Sequence, residues 1–224
     1  MIQAYGNKIN FDLLMKELYE TLSCEQNSAL IEKIYLKSQD PYQVLIGTIL
    51  SSRTKDEVTA KASARLFKRA PNAETLLRFS EDEIVGLIYP VGFYNTKAKN
   101  IKKVAHILVN TYHGQVPDRM QSLIELPGVG RKTANLVLGI AFGIDSITVD
   151  THVFRISNRL GIIKTRTPIE AENDLKKILP RKYWISYNSY LVLFGQQICK
   201  PISPFCTQCP IEHFCQKIGI KNFR

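Results

Sequence analysis

Apolar residues recur at intervals of three and four along most of this 224-residue chain, which is the spacing of one face of an α-helix. Five residues between positions 95 and 112 share such a face: Ile101, Val104, Ala105, Leu108 and Val109. The pattern predicts helices at about 9–22, 28–37, 41–52, 55–69, 81–88, 95–112, 119–125, 130–143, 151–160, 168–179 and 184–198. No alternating strand pattern competes with them. The sequence therefore predicts an all-α protein.

Helix start signals support these segments. Residues 54–57, 80–83 and 167–170 each place a Glu three positions after a Ser or Thr, the pattern of a capping box, and Asp40-Pro41 also opens a helix. Residues 147–149 are too few to form a sheet alone, so they predict a buried connector. The two prolines that follow Cys199 predict a loop at the end of the chain.

The charge balance points to a polyanionic partner. Thirty Lys and Arg against 20 Asp and Glu give a net charge of +10, which suits nucleic acid or a membrane surface. No segment has the length of a transmembrane span. The first five residues lack the pattern of a secretory signal, so we expect an intracellular protein without structural disulfides.

Four of the five cysteines lie close together near the end of the chain. Cys199, Cys206, Cys209 and Cys215 have the spacing C-x6-C-x2-C-x5-C, which is typical of a metal site. The spacing alone fits zinc or a [4Fe–4S] cluster, and two disulfides are the alternative. Cys24, far from the others, is expected to be a small core residue.

A glycine-rich turn separates two predicted helices at Leu126-Pro127-Gly128-Val129-Gly130-Arg131-Lys132-Thr133-Ala134. Glycines at 128 and 130 permit a very tight turn and a close approach of the backbone to a phosphate. Backbone N–H groups of Gly128, Val129, Gly130 and Arg131 would then bind the anion. The alternative is an ordinary turn between two helices.

This turn resembles the helix-hairpin-helix of the DNA glycosylase superfamily, and residues 149–153 resemble the Asp-bearing segment of its endonuclease III family. The similarity runs from about Asp40 to Cys215, and the cysteine spacing is the one that holds a [4Fe–4S] cluster in that family. The resemblance implies a bifunctional DNA glycosylase and abasic-site lyase of base excision repair. Such an enzyme removes oxidised pyrimidines from double-stranded DNA and cleaves the abasic strand by β-elimination.

The resemblance also assigns two catalytic residues. Lys132 takes the position of the nucleophile that forms a Schiff base, and Asp150 takes that of the essential carboxylate. Only a neutral amine attacks, so burial, the helix N-terminus and the neighbouring Arg131 would have to favour that form. Asp150 is expected at the start of a helix. The alternatives are a solvated surface lysine and a simple N-cap.

The remaining site residues are candidates for DNA contact. Phe93 matches a family wedge of the pattern Gly-x-Tyr, and Ser51 and Arg53 lie in a second loop where many relatives have glutamine at position 53. Phe93 could instead be core, and Arg53 a plain phosphate contact. His152 would contact the strand or support Asp150, and Lys200 would face a phosphate.

The resemblance implies two helical lobes with DNA in a groove between them. Residues 34–144 would form a six-helix barrel, and residues 1–33 with 145–224 would form a second domain ending in the cluster loop. We expect a monomer that is associated with DNA and not with a membrane. Two alternatives are a monofunctional adenine-mismatch glycosylase of the same fold and a non-catalytic iron–sulfur DNA-binding protein. Lys132 argues against the first, and its pairing with Asp150 against the second.

Overall fold

The computed structural model describes residues 2–4, 7–22 and 29–224, and Cys24 lies outside these ranges. The α-helices in them are α1 (Phe11–Leu22), α2 (Leu30–Ser38), α3 (Pro41–Ser51), α4 (Asp56–Arg69), α5 (Ala73–Leu77), α6 (Glu81–Ile88), α7 (Tyr94–Tyr112), α8 (Met120–Ile124), α9 (Arg131–Phe142), α10 (Thr151–Leu160), α11 (Pro168–Ile178) and α12 (Trp184–Gln197). Short 3-10 helices cover Arg181–Tyr183, Cys206–Gln208 and Glu212–Phe214. The predicted helical class is confirmed.

Three elements differ from the prediction. Strands β1 (Ile2–Ala4) and β2 (Asn7–Ile9) pair antiparallel, with Ile2 opposite Ile9. Helix α5 was not predicted, because its five residues are too few to show a helical period; its signal is Asn72, whose side chain accepts the Thr75 N–H at 2.9 Å.

The predicted capping boxes have two outcomes. Those at Ser80 and Thr167 are confirmed, with both reciprocal hydrogen bonds present, and Asp40 caps α3 by accepting the Tyr42 N–H at 2.9 Å. The box at Thr54 is wrong. Helix α4 begins after Lys55 without a side-chain cap, because the Thr54 hydroxyl accepts hydrogen bonds from residues distant in sequence.

The chain divides into two compact units, of which Leu30–Ile144 is continuous. Helix α3 lies at its centre and packs against α2, α4 and α9, while α7 packs against α5 and α6. Eight of the eleven α3 residues are buried. The predicted apolar face of α7 is confirmed at Ile101, Val104, Ala105 and Leu108, which are buried, whereas Val109 is only partly buried.

The second unit combines Met1–Ala29 with Asp145–Arg224. Helix α12 packs against α1 and α10 around a core that includes Tyr187 and Phe194. Residues 147–149 are buried and not in a strand, which confirms the predicted connector. The segment after Cys199 is mostly loop, as predicted. None of the helices in the described part of the chain is long and apolar enough to span a bilayer.

Candidate functional site

The glycine-rich turn lies between α8 and α9, which confirms the helix-hairpin-helix. Gly128 has φ +81°, and a Cβ at this position would lie 2.8 Å from Asn100 Nδ2 of α7. Gly130 has φ −97°, and a Cβ there would meet nothing within 4 Å. Glycine is therefore required at 128 by the fold, whereas the surface over Gly130 is open to an incoming ligand.

Gly130 is the N-cap of α9 and supplies no side chain to cap the first turn. The side chain of Val129 is 6% exposed and belongs to the core, so only its backbone could contact a ligand. The side chains of Arg131 and Lys132 in the first turn are exposed. The expected burial of Lys132 is therefore not seen in the protein alone.

Asp150 is the N-cap of α10, as predicted. Its Oδ1 accepts the backbone N–H groups of His152 at 2.8 Å and Val153 at 2.9 Å. The carboxylate is partly buried and satisfies two N–H groups of the first helical turn. These bonds fix the orientation of the carboxylate at the N-terminus of α10.

His152 packs tightly inside the same unit. A Cβ on Gly195 of α12 would lie 2.3 Å from His152 Nδ1, and the Arg155 guanidinium lies 3.2 Å from that nitrogen. These contacts hold the imidazole against α12 and Arg155.

The two candidate wedge loops lie in contact within the unit Leu30–Ile144. The Phe93 side chain is 62% exposed, so the interpretation of Phe93 as core is wrong. The Arg53 guanidinium carbon lies 5.6 Å from the Phe93 ring centroid, within range of a cation–π interaction. The Ser51 hydroxyl donates to the Thr48 carbonyl at 2.9 Å and is partly buried. Arg53 and Phe93 therefore form one exposed pair.

Lys97 is a residue of this region that the sequence analysis missed. It lies on the apolar face of α7 and is 6% exposed. Its ammonium donates to the carbonyls of Leu50 and Ser52 and to the Thr54 hydroxyl. Burial lowers the pKa of Lys97 to about 8. The signal in the sequence is a single lysine four residues before Ile101 on an otherwise apolar stripe.

The four clustered cysteines line one cavity in the second unit, together with apolar residues such as Phe194 and Ile211. All four are free thiols, so the disulfide alternative is not supported. Burial raises the pKa of the Cys209 thiol to about 12 and raises those of Cys206 and Cys215, with the neighbouring cysteines adding to the shift. Without a bound cation, these three thiols therefore favour their protonated form.

The donor set of this cavity fits a thiolate-bound metal centre. Arg159 donates to Cys199 Sγ at 3.4 Å, and the Lys217 N–H donates to Cys215 Sγ at 3.3 Å, as N–H groups do to metal-bound thiolates. Among the residues that the structure describes, no three His, Cys, Asp or Glu side chains converge closely enough to hold a metal ion. The sulfur atoms share a cavity without forming a site for a single ion.

Two arginines of α10 that the sequence analysis missed hold the cysteine-bearing loop. Arg155 donates to the Cys199 carbonyl at 2.8 Å, and Arg159 donates to the carbonyls of Lys200 and Pro201, each at 2.7 Å. Lys200 is partly buried, and its ammonium lies 5.1 Å from the Phe205 ring centroid. The helix that Asp150 caps thus anchors the start of the loop.

Comparison with known proteins identifies the family. The model of the HhH-GPD superfamily base excision DNA repair proteins matches residues 46–181, more than half of the chain. Endonuclease III of Thermotoga maritima is 48% identical over 180 residues, which cover 80% of this chain and 84% of the relative. The chain belongs to the endonuclease III family.

Other relatives of this endonuclease III family protein agree. Endonuclease III of Synechocystis sp. is 41% identical over 91% of this chain and 89% of its own. A solved structure of a non-covalent endonuclease III–DNA complex matches with a TM-score of 0.77 and 33% identity, covering 94% of this chain and 97% of that one. A trapped covalent endonuclease III–DNA intermediate matches equally well.

These likenesses settle the class of activity. The endonuclease III family protein is a bifunctional DNA glycosylase and abasic-site lyase of base excision repair. Its helix-hairpin-helix lies within the matched residues 46–181, as does Asp150. The four clustered cysteines lie after them along the chain.

Proposed function

We propose that this enzyme excises oxidised pyrimidines from double-stranded DNA, with Lys132 as the nucleophile and Asp150 as the essential carboxylate. The observation that carries the proposal is the exposed lysine in the first turn of α9, directly after a hairpin whose last glycine leaves the helix uncapped. An anion bound at this helix end is a DNA phosphate, which would bring the nucleotide sugar to the amine. DNA-bound relatives, one trapped covalently, support the assignment.

The reaction begins when the neutral amine of Lys132 attacks C1′ of an everted nucleotide. The C1′–N bond breaks, and the base leaves with the bonding electrons and takes up a proton. The nitrogen loses a proton, the C1′–O4′ bond breaks as O4′ takes up a proton, and a protonated Schiff base forms between Lys132 Nζ and C1′. Removal of a C2′ proton then expels the 3′ phosphate and cleaves the strand. Because Lys132 is exposed in the protein alone, desolvation of its amine has to come from the bound DNA.

Asp150 supplies negative charge to this reaction. Its cap hydrogen bonds to His152 and Val153 orient the carboxylate and hold it beside the positive end of the α10 dipole. In that position it stabilises the positive charge that develops on the sugar, or accepts a proton from the attacking amine. Support of this carboxylate is the role we assign to His152.

Cys199, Cys206, Cys209 and Cys215 would hold a [4Fe–4S] cluster. The C-x6-C-x2-C-x5-C spacing, which holds such a cluster in the endonuclease III family, favours the cluster over zinc. The bound cluster supplies positive charge that keeps the thiolates ionised, and the glycosidic chemistry uses no electrons from it. The chain itself orders the loop through Arg155 and Arg159, and Lys200 would contact a phosphate of the bound DNA. We further propose a monomeric, intracellular, DNA-associated protein.

Borohydride trapping tests the assignment. The holoenzyme is mixed with a duplex that contains thymine glycol, and reduction of the Schiff base is expected to give a covalent protein–DNA adduct. Lys132→Gln should abolish the adduct, while Lys164→Gln, at an exposed lysine outside the site, should trap as well as wild type. Undiminished trapping by Lys132→Gln would refute the proposal. Excision without any adduct in wild type would instead indicate a monofunctional glycosylase.

The metal is tested separately. A brown protein with absorbance near 400 nm and about four irons per chain is expected. A colourless protein that is loaded with zinc and fully active would overturn the iron assignment and leave the roles of Lys132 and Asp150 untouched.

A further inference from the structure

Lys97 lies at a buried position of α7, where the desolvation of a charged ammonium group destabilises the fold. It shares a face of α7 with Ala98, Ile101 and Val104, all of which are fully buried, and only 6% of its own surface is exposed. A buried ammonium loses its hydration, and its lowered pKa reflects that loss. Three of its hydrogen-bond acceptors are neutral oxygens, two backbone carbonyls and one hydroxyl, so these bonds hold a loop and are not ion pairs.

The three acceptors belong to residues that precede and follow Arg53 of the candidate wedge. Lys97 Nζ lies 2.8 Å from the Leu50 carbonyl, bonds the Ser52 carbonyl, and lies 3.1 Å from Thr54 Oγ1. Arg53 is therefore flanked on both sides by residues fixed to α7. It has φ +52°, in the left-handed region that an arginine seldom adopts. A conformation of this kind persists only where the surroundings determine it.

The same bonds join the second loop to the first. Thr54 Oγ1 also accepts the Gly92 N–H at 3.1 Å. A Cβ on Gly92 would lie 2.5 Å from the Arg53 carbonyl oxygen, so the two backbones are in direct contact. Phe93 follows with φ +58°, and its exposed ring lies beside the Arg53 guanidinium. One buried lysine and one threonine thus hold both exposed side chains in fixed relation.

We propose that Lys97 is a positioning residue for the opening of the DNA duplex. By fixing the loop around Arg53 against α7 and the Phe93 turn, it presents the Arg53–Phe93 pair as a single rigid wedge that fills the gap left by the everted nucleotide. The inference rests on the proposed function, in which that nucleotide leaves the helix. Inserting side chains into a duplex costs unstacking free energy. A preorganised wedge offsets more of this cost than a mobile loop does, because it loses less conformational entropy on binding.

If Lys97 positions the wedge, its loss slows excision from duplex DNA and spares cleavage of single-stranded DNA. A general structural role would affect both activities. Excision of a damaged base from a duplex requires the wedge, whereas cleavage at an abasic site in single-stranded DNA has no duplex to open. Lys97→Met keeps the unbranched apolar stem of the side chain and removes the three ammonium donors. We expect single-turnover excision from duplex DNA to fall by about tenfold or more, as for unsatisfied buried acceptors. Cleavage of a single-stranded abasic oligonucleotide should stay within about twofold of wild type.

A spectroscopic readout reports the wedge directly. 2-Aminopurine placed opposite the lesion brightens when it is unstacked, and we expect this signal to decrease in Lys97→Met. Lys103→Met, which removes an exposed lysine from the same helix, is the matched control and should behave as wild type. Thr54→Val alters the same junction from the loop side without changing the core, and should give the same split between duplex and single-stranded substrates.

The outcomes distinguish this inference from the function on which it rests. Folded Lys97→Met and Thr54→Val with wild-type duplex excision and fluorescence would overturn it, as would an equal loss on both substrates. If Lys97→Met does not fold, Thr54→Val alone decides. Phe93→Ala and Arg53→Ala test the wedge itself. Should these two variants excise from duplexes as wild type does, the proposed wedge fails irrespective of Lys97.

Discussion

Asn100 of α7 lies directly against Gly128 of the hairpin, at a distance that leaves no room for a Cβ on the glycine. Such a Cβ would be 2.8 Å from Asn100 Nδ2, and Gly128 also has φ +81°. Gly130, two residues later, has neither restriction. The two glycines of one turn therefore have different roles. Gly128 allows the turn to pack against α7, and Gly130 leaves the N-terminus of α9 accessible.

Replacing each glycine with alanine separates these two roles. Gly128→Ala should lower the free energy of unfolding by about 1–3 kcal/mol, because the positive φ and the contact with Asn100 both oppose a side chain. Gly130→Ala should change stability by less than about 1 kcal/mol, yet weaken binding to undamaged duplex DNA by about tenfold, since a methyl group obstructs the phosphate. Urea unfolding and fluorescence anisotropy measure the two effects. Equal losses of stability in both variants would contradict the division.

Asp150 combines a structural and a chemical role, and two substitutions separate them. Asparagine caps helices as well as aspartate does, so Asp150→Asn should keep its stability while excision falls by about 100-fold or more. Asp150→Ala should lose activity and about 1 kcal/mol of stability as well, because two backbone N–H groups lose their acceptor. Single-turnover kinetics and thermal unfolding provide the comparison. An active Asp150→Asn would reduce this residue to a helix cap.

Arg159 connects α10 to the loop that begins at Cys199. Its guanidinium donates to the carbonyls of Lys200 and Pro201 and to Cys199 Sγ. Arg159→Met should lower stability by about 1–3 kcal/mol, since three acceptors lose their donor, and should speed the loss of the 400-nm absorbance in a chelator. Arg166→Met, at an exposed arginine of the same unit, is the control. Identical rates of absorbance loss would show that Arg159 does not protect the metal centre.

Lys97 predicts a pH dependence of stability. Burial lowers its pKa in the folded protein to about 8, below the 10.5 of an exposed lysine, so between these values the unfolded chain binds more protons. This residue therefore makes folding less favourable below pH 8, and the penalty is relieved as pH rises toward 10.5. The free energy of unfolding of wild type minus that of Lys97→Met should increase over this window, by at most about 1.4 kcal/mol per pH unit.

Subtracting the free energy of unfolding of Lys97→Met from that of wild type cancels the contribution of the other titrating groups, including the cysteines. Urea unfolding at several pH values gives the difference. A value that stays constant from pH 7 to pH 10.5 would mean that Lys97 keeps an ordinary pKa and is solvated.

Predictions from sequence succeeded where the cause is local. Asp150 at the start of α10 and the capping boxes at Ser80 and Thr167 depend on atoms within one helical turn, and the structure has them as predicted. The cysteine spacing predicted a shared site, and the four thiols line one cavity. The burial that the chemistry of Lys132 requires is not seen in the protein alone, where the residue is exposed.

The sequence by itself determined the helical class, the glycine hairpin and the helix caps, since helical period and capping act over three or four residues. Only the tertiary structure decided that the Thr54 hydroxyl accepts the Gly92 N–H and does not cap α4. It also decided that Lys97 donates to a carbonyl 47 residues away. Arg159 likewise bonds Pro201 across 42 residues. These partners meet because packing of the helical core sets the distance between segments that are remote in the chain, and no local pattern encodes that distance.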